Sequence, residues 1–391
     1  MSLRTLDDLG DVTGVRAFLR ADLNVPMADG VVGDDSRIRA TLPTIHELLE
    51  RGASVVLASH LGRPKGKMRE DLRLAPVGAR LAGLLGREVV SVPEVAPAEL
   101  PAASVVLLEN LRFEPGEEAN DVAFAGRLAE LADIYVDDAF GAVHRAHASV
   151  SALPDLMLAS GRPAVAGRLV QREVEVLSRL LSGAERPYVA ILGGAKVSDK
   201  LAVIDALLDR VDALLVGGAM AFTLLAADGG AVGDSLVEPD RYDDVRAAMA
   251  RAAASGVRIE LPTDVVAAAE IAADAPARTV PAREIPDGLK GLDIGPQTVA
   301  AFAEVIAGAK TVLWNGPMGV FELASFSAGT RGVAEAVGAS NAFSVVGGGD
   351  SLAAIAQAGL EGSFDHLSTG GGASLEYLEE RALPGITILE G

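Results

Sequence analysis

Residues 188–200, YVAILGGAKVSDK, decide the fold. Val189, Ala190, Ile191 and Leu192 suit a strand buried on both faces, and Gly193 and Gly194, lacking Cβ atoms, let backbone N–H groups turn outward. Lys196 and Lys200 stand four apart, so a helix following the turn places both on one face near its positive end. Strand, glycine turn and helix predict a βα unit whose turn can cradle phosphate. The corner of any α/β protein uses the same Gly-Gly pair, so the turn alone leaves both readings open.

The pattern repeats outward from this stretch. Short apolar runs at 17–19, 55–58, 105–108 and 134–136 precede it, and runs at 214–216, 258–261, 311–314 and 343–346 follow, each pair separated by helix-length segments. Strands this apolar are covered by helices on both faces, as in parallel sheets. With 391 residues the chain exceeds one ordinary core. The expected fold class is α/β: two doubly wound, Rossmann-like parallel-sheet domains. Residues 167–183, GRLVQREVEVLSRLLSG, carry a helical apolar period and are read as the helix joining them; a crossover helix within one larger sheet is the alternative.

Composition excludes several functions. The net charge of −20 argues against nonspecific nucleic-acid binding and against anionic membranes, so an anionic ligand must meet a local positive site. Cysteine is absent, which removes disulfides, thiolate metal sites and thiol nucleophiles. No metal-ligand spacing joins the five histidines. The start, MSLRTLDDLG, has no apolar signal core and no run approaches a membrane span, so a cytoplasmic protein is expected.

Ligands of open parallel sheets bind beyond the carboxyl ends of the strands. There the halves differ. The first offers Arg20, Asp22 and Asn24, then Ser59, His60, Leu61, Gly62 and Arg63, then Asn110 and Arg112, then Asp137, Asp138, His144 and Arg145. Arginines after separate strands suit one small anion, since guanidinium forks bind phosphate and carboxylate in pairs of hydrogen bonds. Arg37, in DDSRIRA, is expected to open a helix and reach the same crevice. The second half offers Gly193–Gly194, Gly217–Gly218, Asn315-Gly316-Pro317 and Gly347-Gly348-Gly349-Asp350-Ser351. Glycines permit close approach to phosphates and Asp350 is a hard oxygen ligand for magnesium; tight turns and a helix N-cap are the competing explanations. Trp314 reads as core, and Glu322 as either a sugar-hydroxyl acceptor or an exposed helix residue. Neither G-x-x-x-x-G-K-[ST] nor G-x-G-x-x-G occurs.

The assembled motifs closely resemble the phosphoglycerate kinase family. The carriers are RADLNVP, DDSRIRATLPTI, SHLGRPKG, LLENLRFEPGEE, DDAFGAVHRAHAS, ILGGAKVSDK, GLDIGP, WNGPMGVFE, VGGGDS and STGGGASLE, in order over nearly the whole length. The resemblance implies reversible phosphoryl transfer between 1,3-bisphosphoglycerate and ADP, giving 3-phosphoglycerate and ATP, with Mg²⁺, in a monomer whose domains close. It implies a phosphoglycerate-binding domain at 1–166, the joining helix at 167–186, a nucleotide-binding domain at 187–372 and a segment at 373–391 returning to the first domain. It assigns Asp22, Leu23 and Asn24 to the glycerate, and His60, Leu61, Gly62, Arg63, Arg112 and Arg145 to the nontransferred phosphate. Arg37, Lys196, Lys200, Gly371 and Gly372 surround the moving phosphoryl group. Gly217, Asn315, Pro317 and Glu322 belong to the nucleoside side, Gly347 to Gly349 and Ser351 to the phosphate chain, and Asp350 to magnesium. Ala219 departs from a commoner glycine beside the base, and the AV of GAVHRAH from the familiar TA. Two other functions compete: a kinase for a different small phosphorylated acid, and a nucleotide-binding regulator without turnover.

Overall fold

A computed structural model describes residues 3–391. The chain divides into two compact units, one running to Glu175 and including Ala382–Gly391, the other spanning Val176–Arg381. Residues 373–381 therefore belong to the second unit, and the segment grouped with the first begins at Ala382. The helix Arg168–Ser182 runs across the division at Glu175/Val176.

The first unit is built on β1 (Arg16–Ala21), β2 (Ser54–Ala58), β3 (Val90–Ser91), β4 (Val105–Leu107), β5 (Ile134–Asp138) and β6 (Ala164–Ala166), all parallel, in the order β3-β4-β2-β1-β5-β6. Leu19 of β1 lies opposite Leu57 and Val136. All three side chains are buried, each contributing about 1.5–3 kcal/mol by its removal from water. The chain leaves β1 toward β2 on one side and meets β5 on the other, so the loops after β1, β2 and β5 gather at one switch point.

The second unit repeats the plan with β7 (Tyr188–Leu192), β8 (Ala213–Val216), β9 (Arg258–Glu260), β10 (Thr311–Asn315), β11 (Phe343–Gly347) and β12 (His366–Ser368), in the parallel order β9-β8-β7-β10-β11-β12. Every residue of β7 is buried, as the opening stretch requires. Its switch point lies between β7 and β10, where Gly193 N–H donates to the Asn315 carbonyl at 2.9 Å. A three-stranded antiparallel sheet, Arg278–Pro281 with Asp264–Ala268 and Lys290–Ile294, is inserted between β9 and β10. Trp314 is fully buried and its indole N–H donates to the Gly316 carbonyl at 2.8 Å, which places it in the core. Among the described residues no helix is long and apolar enough to cross a membrane.

Candidate functional site

The polar residues beyond β1, β2 and β4 form one connected set. Arg37 sits in the first turn of the helix Ser36–Glu50, and its guanidinium donates to Asp22 Oδ2 at 3.0 Å and to the Asn24 carbonyl at 3.3 Å. Asn24 Oδ1 accepts the Gly62 N–H at 2.8 Å, and the Gly62 carbonyl accepts Arg112 Nη1 at 2.8 Å. Leu23 N–H donates to Ser59 Oγ at 2.9 Å, and Leu61 N–H to Asn110 Oδ1 at 3.2 Å, so both loops are fixed through their backbone. Arg145 Nε lies 3.1 Å from His144 Nε2. Burial, then the charges of Arg20 and Arg145, lower the pKa of Arg112, which places these cations close enough to repel. Arg63 follows Gly62 with an exposed side chain and, among the described residues, no hydrogen-bond or ion-pair partner. Cations crowded together within an acidic chain form a ready receptor for a small polyanion.

Beneath this set lies a buried polar layer. Arg20 is fully buried, donating to Ser149 Oγ at 2.9 Å and lying 3.0 Å from His60 Nδ1. It is an internal strut, and the expectation that it joins the exposed anion receptor is corrected. Ser149 Oγ donates to the buried Glu117 at 2.6 Å. Burial pushes Asp137 up to about 6 and Asp138 up to about 7, and presses His147 down to about 4.

In the second unit, a cavity of about 310 Å³ opens beyond the strand ends. Its floor is glycine backbone, Gly194 and Gly218, and its walls are apolar, from Leu236, Ile271, Leu292, Val320 and Phe321. Pro317, Glu322, Lys290 and Asp350 are among the other lining residues. The glycines are required by close approach: a Cβ at Gly193 would lie 2.2 Å from the Pro317 carbonyl oxygen, and one at Gly218 2.5 Å from Gly194 N. Gly217 is held likewise, its N–H donating to the Leu192 carbonyl at 2.9 Å while an added Cβ would meet Met318 Sδ at 2.4 Å. Ala219, two residues on, has ordinary helical torsions and tolerates its methyl.

The lysines part company. The helix begins only at Leu201, so Lys196 and Lys200 do not share a helical face as expected. Glu238, forty residues along, accepts Ser198 N–H at 3.0 Å and Ser198 Oγ–H at 2.6 Å, and that carboxylate anchors the turn at 198–200. Lys196 is exposed. Lys200 is half-buried and its ammonium donates to Asn315 Oδ1; burial lowers its pKa although Asp199, Asp350 and Glu379 oppose the shift.

Gly348, with φ of 96°, caps the helix Gly349–Ala358, which leaves Asp350 exposed in the first turn and not at the cap. Gly347 and Gly348 lie against Asn315, to whose Nδ2 an added Cβ would approach within 3.3 and 3.2 Å. The Ser351 hydroxyl is buried and accepts the Gly316 N–H at 2.7 Å, so its side chain braces the turn and only its backbone N–H is offered by the helix start. Glu322 is exposed in a turn and not in a helix. Gly371 and Gly372 open the helix Gly372–Leu378, whose following residue Glu379 lies near Lys200. Leu236 and Ile271 escaped sequence reasoning; their signal is that both are large, apolar and more than half exposed, at 51% and 59%.

Asp350 is a test of fit for a metal ion. Among the described residues no cluster of three metal-ligating side chains exists, so an all-protein cage is excluded. One exposed carboxylate at the cavity edge suits Mg²⁺ carried by a nucleotide, which takes one or two carboxylates and fills its remaining positions with phosphate and water.

Comparison with known proteins gives the family and the fold. The family model described as phosphoglycerate kinase matches residues 6–381. The chain is similar to phosphoglycerate kinases of Salinispora tropica, 56% identical with all of both chains covered, and Thermomicrobium roseum, 54% identical over 99% of each. The solved phosphoglycerate kinase from Coxiella burnetii superposes with a TM-score of 0.89 at 42% identity, covering 99% of both chains.

Proposed function

The chain belongs to the phosphoglycerate kinase family, and on that premise we propose the detailed chemistry: Mg²⁺-dependent, reversible transfer of a phosphoryl group between the carboxyl end of 3-phosphoglycerate and ADP/ATP. The observation that carries the reading is the contact chain Asp22-Arg37-Asn24-Gly62-Arg112, a cationic receptor built from three separate strand ends. A carboxylate acceptor needs no deprotonation, which accords with a site holding cations and no base–nucleophile pair.

His60, Arg63, Arg112 and Arg145 hold the nontransferred phosphate, and Asp22 and Asn24 orient the glycerate. The apolar cavity takes the nucleoside, with Glu322 accepting from ribose hydroxyls and the Gly347–Asp350 turn facing the phosphates. Bound Mg²⁺ supplies charge neutralisation on the phosphate oxygens, held by Asp350. Arg37 and Lys196 stabilise charge on the moving group, aided by backbone N–H groups at Gly371 and Gly372; removing one such donor costs on the order of 10²–10³ in rate. Lys200, its ammonium retained on Asn315, engages the nucleotide phosphates. The units close during turnover, which excludes water from the acyl phosphate. The enzyme is a cytoplasmic monomer.

Hydroxylamine trapping tests the acceptor. With ATP, Mg²⁺ and 3-phosphoglycerate, an acyl phosphate product yields a hydroxamate. ATP consumption without hydroxamate indicates a phosphate ester and overturns the carboxyl assignment.

A further inference from the structure

The buried polar layer under the cation cluster has a fixed polarity. Arg20 donates through Nε to Ser149 Oγ, through one terminal nitrogen to the Ala21 carbonyl, and its other terminal nitrogen lies 3.0 Å from His60 Nδ1. A guanidinium has five N–H donors, no acceptor, and keeps its charge in proteins. The contact between Arg20 and His60 can therefore run in one direction only: Nδ1 accepts and carries no proton. A neutral imidazole has one N–H, which is left to Nε2.

We propose that Arg20 is a positioning residue that locks His60 as the neutral, Nε2-protonated tautomer, making His60 an obligate hydrogen-bond donor toward the substrate phosphate. The layer is organised to enforce this. Fully buried Glu117 accepts the Ser149 N–H at 3.0 Å and its hydroxyl at 2.6 Å, which leaves the Ser149 oxygen to accept from Arg20. Tyr135 donates to the Ser149 carbonyl at 2.8 Å, fixing the same residue from β5. Direction passes from the Glu117 carboxylate through Ser149 and Arg20 to His60, across four separate parts of the chain. Protonating Nδ1 would point one N–H at another. Burial holds His60 well below the ordinary histidine range, and the neighbouring charges of Arg20, Arg112, His147 and Arg37 act the same way. No protein group takes up His60 Nε2 among the described residues.

The functional consequence, which rests on the proposed phosphate-binding role of His60, is that the site's positive charge comes from arginines alone. Phosphate affinity then shows no loss from a titrating histidine as pH rises through the ordinary imidazole range near 6.5.

The test is ¹⁵N-histidine NMR on the whole enzyme between about pH 5 and pH 8, with His60→Gln assigning the signal among five histidines. The expected pattern is unprotonated Nδ1 and protonated Nε2 throughout, without titration. An Nδ1–H tautomer, or an imidazolium forming in that range, overturns the proposal. Ser149→Ala, which removes the anchor of Arg20, is expected to mix the tautomers, while an unchanged spectrum assigns the tautomer to some cause other than this layer. Adding 3-phosphoglycerate separates the two claims. A shifted Nε2 signal supports both, whereas the expected tautomer with no shift supports Arg20 and refutes the substrate role of His60.

Discussion

Gly319 is the position where one methyl group reports on the nucleotide cavity. A Cβ there would lie 2.3 Å from Asp293 Oδ1, 2.5 Å from Cγ and 2.7 Å from Cβ, where ordinary contact begins near 3.4 Å. Asp293 cannot retreat: its Oδ1 accepts Ile294 N–H at 2.9 Å and its Oδ2 accepts Gly329 N–H at 2.6 Å, within the core. The loop must move instead, by roughly 1 Å on van der Waals grounds. That loop carries Pro317, Val320, Phe321 and Glu322 into the cavity and is tied by Val320 N–H to the Leu292 carbonyl at 2.9 Å. Overpacking of this kind costs about 1–3 kcal/mol. If the strain appears on nucleotide binding, Gly319→Ala raises the KM for ADP by roughly 5- to 150-fold. The KM for the glycerate substrate, held by the other unit, stays unchanged. Steady-state kinetics with Gly308→Ala as control, where the added Cβ meets nothing nearer than 3.7 Å, supply the comparison. An unchanged KM for ADP together with an unchanged melting temperature refutes the reasoning.

Three further outcomes are expected. Gly83 is exposed inside the helix Ala75–Leu85 with nothing within 4 Å of an added Cβ, so Gly83→Ala stabilises by about 0.5–1 kcal/mol in urea unfolding; a loss of stability contradicts the helix assignment. Asp138 is raised by burial from 3.8 to about 7, so between these values the folded state keeps a proton that the unfolded chain has released. Its contribution is thus full below about pH 4 and lost as pH rises to about 7, on the order of 4 kcal/mol. Asp138→Asn should flatten the fall in stability between about pH 4.5 and pH 7.5, and an unaltered slope assigns that fall elsewhere. Asp350→Asn should shift the Mg²⁺ concentration for half-maximal rate upward by about tenfold or more, whereas an unshifted Mg²⁺ titration removes Asp350 from the metal.

The two-sheet architecture was legible because the central strands carry runs of three or more apolar residues that recur at helix-length intervals. The edges were not. Val90–Ser91, Ala164–Ala166 and His366–Ser368 are two or three residues each, too short to display a period, and the inserted antiparallel sheet mixes exposed and buried positions. The candidate site was readable where its residues sit at or soon after a strand end, as with Asn24, Gly62 and Asn315. It was unreadable where a distant partner decides conformation: Glu238 prevents Lys196 from joining the helix, and Glu117 with Ser149 turns Arg20 inward. Leu236 and Ile271 reach the cavity from loops far apart in sequence, a proximity that no local pattern records.

The most direct test is ATP formation from ADP and 1,3-bisphosphoglycerate with Mg²⁺, comparing the purified enzyme with Arg37→Ala. The account predicts turnover by the native chain and a loss on the order of 10²-fold or more in the variant. Absence of ATP formation by the native chain, or a variant as active as the native enzyme, contradicts it.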